Sequence, residues 1–428
     1  MKKFFAGVSL IAEEFVRLFS IFFQENITVD TPDFRKTWKR QLFIIWTAQF
    51  IAANGFSFAL PFVPFYMQQN LGVSQSELPF YTALFGATAP FMMMIFSPVW
   101  GALADRYGRR KMLLRSYVGG LVSLGLMGAV HGPVMLLFLR LLQGVFCGTV
   151  SAAQTLVSTQ TPDEHNGFAL GSLHSAMFSG HMTGSFLGGI FAEYFGYRSA
   201  FVMTAVLMSI SFFLVQRGVT EYFVPQKIPV SKVFGRMIPR GKLFWSVMPI
   251  LLLMGFVMFC RQFDTSFVPL VVQAILGTIE GASGWTGALS ALCGGAGVIS
   301  GFALGILSDR FPPGRIAFCS ALVAAAMMFA ISFSTALTGL FIFRFLMVFA
   351  GSGLDPALQI WLSRRTPSEK RGVIFGYAAS MRSFGHFLSP LVAGFFVSTC
   401  GLMSIYVAGP VFLLMIAWCL YLAVRKGY

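Results

Sequence analysis

The stretch "GALADRYGRR", residues 101–110, concentrates one acid and three arginines inside a long apolar chain. A thinner copy, "GILSDRFPPGR", recurs at residues 305–315. Charged residues are rare in the apolar segments on either side of these two loops. The repetition of the charged loop therefore has to be explained together with the apolar segments beside it. It indicates an internal duplication that places equivalent connections about 204 positions apart.

The composition excludes a soluble globular protein. Of 428 residues, 56% are hydrophobic and only 11% are charged, with a mean hydropathy of +0.74. A soluble domain carries roughly a quarter of charged residues. A spanning helix needs about 20 apolar residues, and the sequence predicts twelve such segments: 42–66, 80–100, 112–131, 134–158, 168–192, 199–216, 245–270, 283–305, 316–334, 338–361, 372–397 and 403–424.

The net charge of +15 reflects membrane topology and does not point to nucleic acid. Lysines and arginines fall on the connections that share a side with both termini, whereas the opposite connections offer little but Arg198. The positive-inside rule therefore places both termini in the cytoplasm. We expect a multi-pass protein of the plasma membrane, the inner membrane in a bacterium.

Neither a metal site nor a disulfide framework is predicted. No CxxC pair occurs among the cysteines, and five of them fall inside predicted spans, where small apolar packing is the expected role. We expect no cofactor. The cysteines are Cys147, Cys260, Cys293, Cys319, Cys400 and Cys419.

Residues 1–40 form a separate cytoplasmic segment. The run "FFAGVSLIAEEFVRLFSIFF" is interrupted by Glu13, Glu14 and Arg17, so it is a poor signal peptide. Its polar residues recur at helical spacing and phenylalanines cover the rest of the circumference. This pattern predicts an amphipathic helix in the membrane interface, with a regulatory or partner-binding helix as the alternative.

Self-comparison divides the chain into two halves. Residues 41–216 and 245–428 each hold six predicted helices, and the basic linker 217–244 joins them. An even number of spans per half makes the repeat parallel, which is a transporter architecture with a substrate site between the halves. The matched pairs include Arg140 with Arg344, Gly189 with Gly394, His181 with His386, and Val63-Pro64 with Val268-Pro269.

The motifs resemble those of the major facilitator superfamily (MFS). "GALADRYGRRK" fits the superfamily signature between helices 2 and 3, "RLLQGVFCG" at 140–148 fits its helix 4 motif, and "FALPFVPFY" at 58–66 resembles the end of helix 1 in drug antiporters. The likeness covers residues 41–425 and is greatest for twelve-helix bacterial multidrug and tetracycline-type drug/proton antiporters. It implies an all-α membrane protein, with twelve transmembrane helices in two pseudo-symmetric halves.

The charged loop is predicted to be a gate. Its first glycine permits close helix approach, and a carboxylate can cap a helix N-terminus; the resemblance implies that this helix is the eleventh, beginning near Gly372. Its arginines can pair with Asp163 and Glu164, and such contacts form only when the cytoplasmic side is closed. The alternative is a loop that only sets topology. The gating candidates are Gly101, Asp105, Arg106, Gly108, Arg109 and Arg110, with Asp309 and Arg310 in the second copy.

Charged groups inside the membrane are functional candidates because burying them is costly. Asp264 and Asp355 are the only carboxylates placed well inside the predicted spans. Helical spacing predicts a pair between Asp264 and Arg261, and the sequential helices 10 and 11 predict a pair between Asp355 and Arg382. Breaking either pair would load a proton, whereas static pairs are the alternative. The resemblance adds Arg140 as a proton-handling residue.

Polar and aromatic residues supply the candidates for the substrate cavity, whereas Arg344, near the predicted outer interface, is expected to snorkel. Two features depart from the antiporter pattern: helix 1 lacks an acid, and Ser185 stands where helix 5 should have proline. The cavity candidates are Asn54, Phe58, Gln143, His174, His181, Asp264 and His386.

The leading prediction is a proton-coupled exporter of lipophilic small molecules or drugs that works by alternating access. It is not an enzyme, and its partners are a small-molecule substrate, protons and the lipid bilayer. We expect a monomer. One alternative is a proton-coupled symporter for a sugar or an organic anion, which the arginines and the missing helix 5 proline favour. Another is a non-transporting membrane sensor or scaffold.

Overall fold

The computed structural model describes residues 34–146, 148–221, 242–310, 313–366 and 371–425. The predicted N-terminal amphipathic helix, most of the basic linker and Cys147 lie outside the described residues. Within them the fold is helical, and each predicted apolar segment falls on one or two of sixteen α-helices.

The first eight helices form what we call the N half and the last eight form the C half. The helices of the N half are α1 Phe34–Ala59, α2 Val63–Asn70, α3 Leu78–Tyr107, α4 Arg109–Met127, α5 Pro133–Phe146, α6 Thr149–Gln160, α7 Asn166–Phe195 and α8 Tyr197–Gly218. Those of the C half are α9 Lys242–Gln262, α10 Val268–Leu276, α11 Ala282–Arg310, α12 Pro313–Ile331, α13 Leu337–Gly351, α14 Leu354–Arg365, α15 Arg371–Cys400 and α16 Ile405–Arg425.

Two predicted spans are interrupted at equivalent places in the halves. A 3₁₀ turn, Leu60–Phe62, separates α1 from α2, and residues 263–267 separate α9 from α10. In both halves the second helix begins with a Val-Pro pair, because proline fits the first turn of a helix but not its interior. The breaks therefore follow the internal repeat, with an offset of about 205 residues.

A second pair of breaks obeys the same offset. Between α5 and α6, Gly148 adopts a φ of +127°, a conformation that glycine reaches without a Cβ clash. Its counterpart Gly353 lies between α13 and α14. Interrupted helices line the binding sites of many transporters, so we expect the helices with these four breaks to line the binding site.

Seven helical stretches of the described chain are long and apolar enough to cross a membrane: Trp38–Asn70, Leu78–Ser97, Pro133–Gln160, Tyr197–Gly218, Gly314–Ile331, Ile374–Cys400 and Leu402–Leu422. The long helices α7 and α11 fall outside this set. Both are rich in glycine and serine, which lower hydropathy but permit close helix packing.

Glycines of α7 allow this helix to pack closely against the backbone of α1. A Cβ at Gly180, Gly184 or Gly188 would overlap the carbonyl oxygens of Phe50, Asn54 and Phe58, respectively. In the C half, a Cβ at Gly385 of α15 would overlap the carbonyl oxygen of Gly255 in α9. Each half is therefore held together by backbone contacts that leave no room for side chains.

Candidate functional site

The two halves meet along what we call the glycine seam, formed by Gly189 with Gly287 and by Gly394 with Ala83. A Cβ at Gly189 would lie 2.5 Å from the carbonyl oxygen of Ser283 and 3.2 Å from the Cα of Gly287. A Cβ at Gly394 would overlap the Ala83 side chain. Both contacts obey the repeat offset, so the seam has the pseudo-twofold symmetry of the chain.

Polar contacts lie beside the glycine seam. The amides of Gln68 and Gln273, also related by the repeat, donate to each other with N–O distances of 3.0 and 3.1 Å. The N–H of Gly284 donates to Glu193 across the halves at 3.3 Å. All these residues lie toward the face where α2 ends and α3 begins, which we call the outer face.

The other face carries the α3–α4 connection with its arginines, and we call it the basic face. A Cβ at Gly101, Gly171 or Gly376, toward this face, would contact nothing within 4 Å. Gly171 and Gly376 are again repeat equivalents. The contacts between the halves named above therefore lie at the outer face, whereas these three glycines of the basic face have open space beside them.

Removal of the amide pair is expected to loosen the outer face. Gln68→Ala eliminates two hydrogen bonds, each worth about 1 kcal/mol, so the population of the open outer face relative to the closed one should rise about thirtyfold. Spin labels at Ser76→Cys and Thr278→Cys, on a background without native cysteines, would report the widening. The matched control is Gln154→Ala, whose side chain bonds His174 within the N half. An unchanged distance distribution in Gln68→Ala would contradict the role.

One acid of the C half lies beside two arginines. Arg382 of α15 donates to Asp355 of α14 at 3.2 Å, which is the contact that the sequence predicts. Their side chains remain 24% and 19% exposed. Arg261, at the end of α9, is exposed and interacts electrostatically with both. The pair is therefore partly accessible, with a further positive charge near it.

Arg140 brings a third guanidinium from the N half. It donates to Gln143 at 2.6 Å and lies over the ring of Phe85, 4.5 Å from its centre. It also interacts electrostatically with His386 across the halves. The Gln262 amide donates to His386 at 2.9 Å. We call Arg140, Arg261, Arg382, His386 and Asp355 the central basic cluster.

The prediction of an Asp264–Arg261 pair is wrong. Helix α9 ends at Gln262, so Asp264 lies in the break and no longer shares a helical face with Arg261. Its carboxylate pairs instead with Arg344 of α13. The expected snorkelling of Arg344 is also wrong, since Arg344 is only 7% and Asp264 only 1% exposed.

The remaining cavity candidates lie around α7. Asn54 donates to Thr183 at 2.9 Å, and both Asn54 and Phe58 line a groove of about 470 Å³ between α1, α7 and α8 rather than the central cluster. His181 shares a hydrogen bond with Ser57 at 2.5 Å. His174 meets Gln154 of α6 at 3.0 Å. The structure therefore distributes these residues over several sites.

The candidate gate is described only in part. The side chains of Asp105, Arg106, Asp309 and Arg310 lie outside the described set. The Glu221 carboxylate accepts from the N–H groups of Arg109 and Arg110 at 2.8 and 2.7 Å, and so caps α4. Arg110 also donates to the Gln216 carbonyl. Glu221, Gln68 and Gln273 were not predicted; the repeat offset alone could have indicated the glutamine pair.

Comparisons with known proteins agree with this architecture. The family model described as Major Facilitator Superfamily matches residues 45–277 and 250–427. A multidrug resistance protein MdtG from Klebsiella pneumoniae (strain 342) is 32% identical over 386 residues, which cover 89% of this chain and 91% of that protein.

Solved structures with the same fold include the nucleoside transporter NupG, at 11% identity with a TM-score of 0.73 over 89% of this chain and 99% of that one. A bacterial homolog to the human lysosomal transporter Spinster, solved in an inward-facing and occupied conformation, is 16% identical. It has a TM-score of 0.70 over 91% of this chain and 97% of that one. At these identities the likeness concerns the fold alone.

Proposed function

We propose, from the premise that this chain belongs to the Major Facilitator Superfamily, that it is a secondary active transporter that exports lipophilic small molecules or drugs. The proposed substrate class rests on the multidrug resistance relative, which aligns with 89% of the chain. The contacts between the halves at the outer face and the open space beside the glycines of the basic face support alternating access.

The proposal includes a topology. Residues 41–216 and 245–428 would each form six spans, with the interrupted helices counted as single spans and 217–244 as the linker. The basic face would lie in the cytoplasm together with both termini, in the plasma membrane, the inner membrane of a bacterium. On this assignment the structure is inward-facing. The transporter would work as a monomer and carry out no chemical conversion.

Substrate would enter the open cavity from the basic face and bind between the halves. Closure of that face would then bring the α3–α4 loop with Asp105 and Arg106 against the C half, while the glycine seam separates. Only differential contacts between the two states bias this equilibrium. The seam supplies such contacts at the outer face, and the candidate gate would supply them at the basic face.

Asp355 is the favoured proton-coupling residue among the candidates. Its side chain is partly exposed, and its pair with Arg382 stabilises the charged form only while the two remain in contact. A movement of α14 relative to α15 would weaken that pair and allow protonation. Asp264, in contrast, is buried with Arg344, which favours a structural role.

The central basic cluster also favours a second candidate, proton-coupled uptake of an organic anion. Arg382 contacts Asp355 and Arg261 lies near both, and protonation of that acid would make this site more attractive to an anion. Export and uptake differ in direction, so one transport experiment separates them.

We expect cells that produce the protein to extrude a fluorescent lipophilic dye, and a protonophore to abolish the extrusion. In proteoliposomes, Asp355→Asn should remove the pH dependence of transport because no titratable carboxyl remains at that position. Glu280→Gln, at an exposed outer-face acid, is the matched control. Accumulation of the dye that a protonophore abolishes would favour uptake. If no dye of a broad panel is either extruded or accumulated, a sensor or scaffold would be favoured.

A further inference from the structure

We propose that two threonines beside the glycine seam, Thr82 of α3 and Thr286 of α11, act in the transport cycle by favouring the open outer face. The inference rests on the proposed alternating access but not on the substrate or the direction of transport. Its basis is a pair of hydroxyl groups that the fold buries beside the seam without a hydrogen-bond partner among the described residues.

Thr286 lies on the side of α11 that contacts the N half. The carbonyl oxygen of Ser283, three residues earlier, and the Cα of Gly287, the next residue, would lie 2.5 and 3.2 Å from a Cβ at Gly189. Residues three positions apart in a helix share a face, so Thr286 lies beside both points of contact. Its side chain is fully buried, with 0% exposure.

Thr82 occupies the equivalent place on α3, 204 residues earlier. A Cβ at Gly394 would overlap the side chain of Ala83, the next residue, and would lie 3.6 Å from the carbonyl oxygen of Pro79, three residues before Thr82. The Thr82 side chain is only 3% exposed. The repeat therefore places one buried threonine beside each of the two seam contacts.

Neither hydroxyl is hydrogen-bonded to another described group. A threonine in a helix can donate to the carbonyl oxygen four residues before it, as Thr204 does to Ala200. Because most buried hydroxyls are paired, two unpaired ones at equivalent places are unusual. Each loses its hydration on burial without gaining a bond, so both destabilise the state in which they are buried.

That state is the closed outer face. When the glycine seam separates, water from the outer side reaches the surfaces on both sides of it and can hydrate the two hydroxyls. The amide pair of Gln68 and Gln273 favours closure, whereas Thr82 and Thr286 favour opening. A transporter that alternates needs such opposing contributions because it has to populate both states.

Removal of either hydroxyl is expected to favour the closed outer face. Valine has the shape of threonine without the hydroxyl, so Thr82→Val and Thr286→Val should each raise the ratio of closed to open outer face about fivefold. The measurement is the distance distribution between spin labels at Ser76→Cys and Thr278→Cys in the purified full-length protein. The Gln68→Ala background is used because it populates the open face, so a shift in either direction is visible.

The double variant Thr82→Val with Thr286→Val should raise the ratio about twenty-five-fold, since the two side chains lie on different helices and share no partner. Thr286→Ser keeps the hydroxyl and should leave the ratio nearly unchanged. A merely structural role for the threonines would not move the equilibrium in the direction opposite to Gln68→Ala.

The matched control is Thr204→Val. Thr204 is equally buried, but its hydroxyl donates to the carbonyl oxygens of Gly55 and Ala200 within the N half. Its loss should therefore lower the free energy of unfolding and leave the label distances unchanged. An unchanged or more open outer face in either valine variant would overturn the inference. A shift toward closure in a protein that transports no dye would instead contradict the proposed transport function alone.

Discussion

Replacement of Gly189 by leucine is expected to abolish transport while leaving the protein folded. A Cβ at this position would lie 2.5 Å from the Ser283 carbonyl oxygen across the glycine seam. Overpacking of this kind costs about 3 kcal/mol, which would shift the closed-to-open ratio of the outer face about a hundredfold. The measurements are transport in proteoliposomes and the distance between labels at Ser76→Cys and Thr278→Cys.

The neighbouring residue provides a control on the same helix. Gly188 packs against Phe58 within the N half, so Gly188→Leu should reduce the yield of folded protein rather than trap one conformation. Gly394→Leu, at the pseudo-symmetric position of the seam, should reproduce the Gly189→Leu effect. Transport at the normal rate in Gly189→Leu would show that the outer face does not need to close along this seam.

Asp264→Asn is expected to destabilise the protein by about 3–5 kcal/mol, because it leaves Arg344 buried without a counter-charge. The pair joins the break after α9 to α13, and both side chains are buried. The measurement is the free energy of unfolding in detergent by chemical denaturation. Arg344→Met should cost a comparable amount for the converse reason.

The double variant Asp264→Leu with Arg344→Met is the informative control for this pair. Replacement of both partners by apolar residues of similar volume is often neutral or stabilising, so most of the lost stability should return. Asp355→Asn should cost far less, since that pair is partly exposed. If the single Asp264→Asn variant unfolds like the unmodified protein, the Asp264–Arg344 pair does not stabilise the fold.

The positions of the helices along the chain follow from apolar length, since the predicted segments lie on helices throughout the described chain. The Asp355–Arg382 contact was also predictable, because sequential helices run antiparallel and place their midpoints together. The partner of Asp264 was not, since the i,i+3 argument assumes one continuous helix. The Val-Pro pair at 268–269, repeated from 63–64, was the available signal that the helix ends earlier.

Arg344 shows a second limit of the sequence. The position of Arg344 near the predicted membrane edge indicates snorkelling. Only the tertiary fold shows that the buried carboxylate of Asp264 lies within reach of its guanidinium group. The glycine seam between the halves could not be predicted from the sequence either. Matching glycines at 189 and 394 indicate equivalent packing, but they do not say whether the contact lies within a half or between the halves. The neighbouring residues show the difference, because Gly188 packs within the N half whereas Gly189 packs against the C half.

The glycine seam has a consequence for inhibition. Because the facing surfaces at Gly189 and Gly287 are backbone rather than side chain, a compound wedged between them would recognise groups that no substitution can remove. A cell under selection would have to add atoms there to escape the compound, and each added atom would itself prevent closure. Resistance through the seam would therefore cost the transporter its own activity.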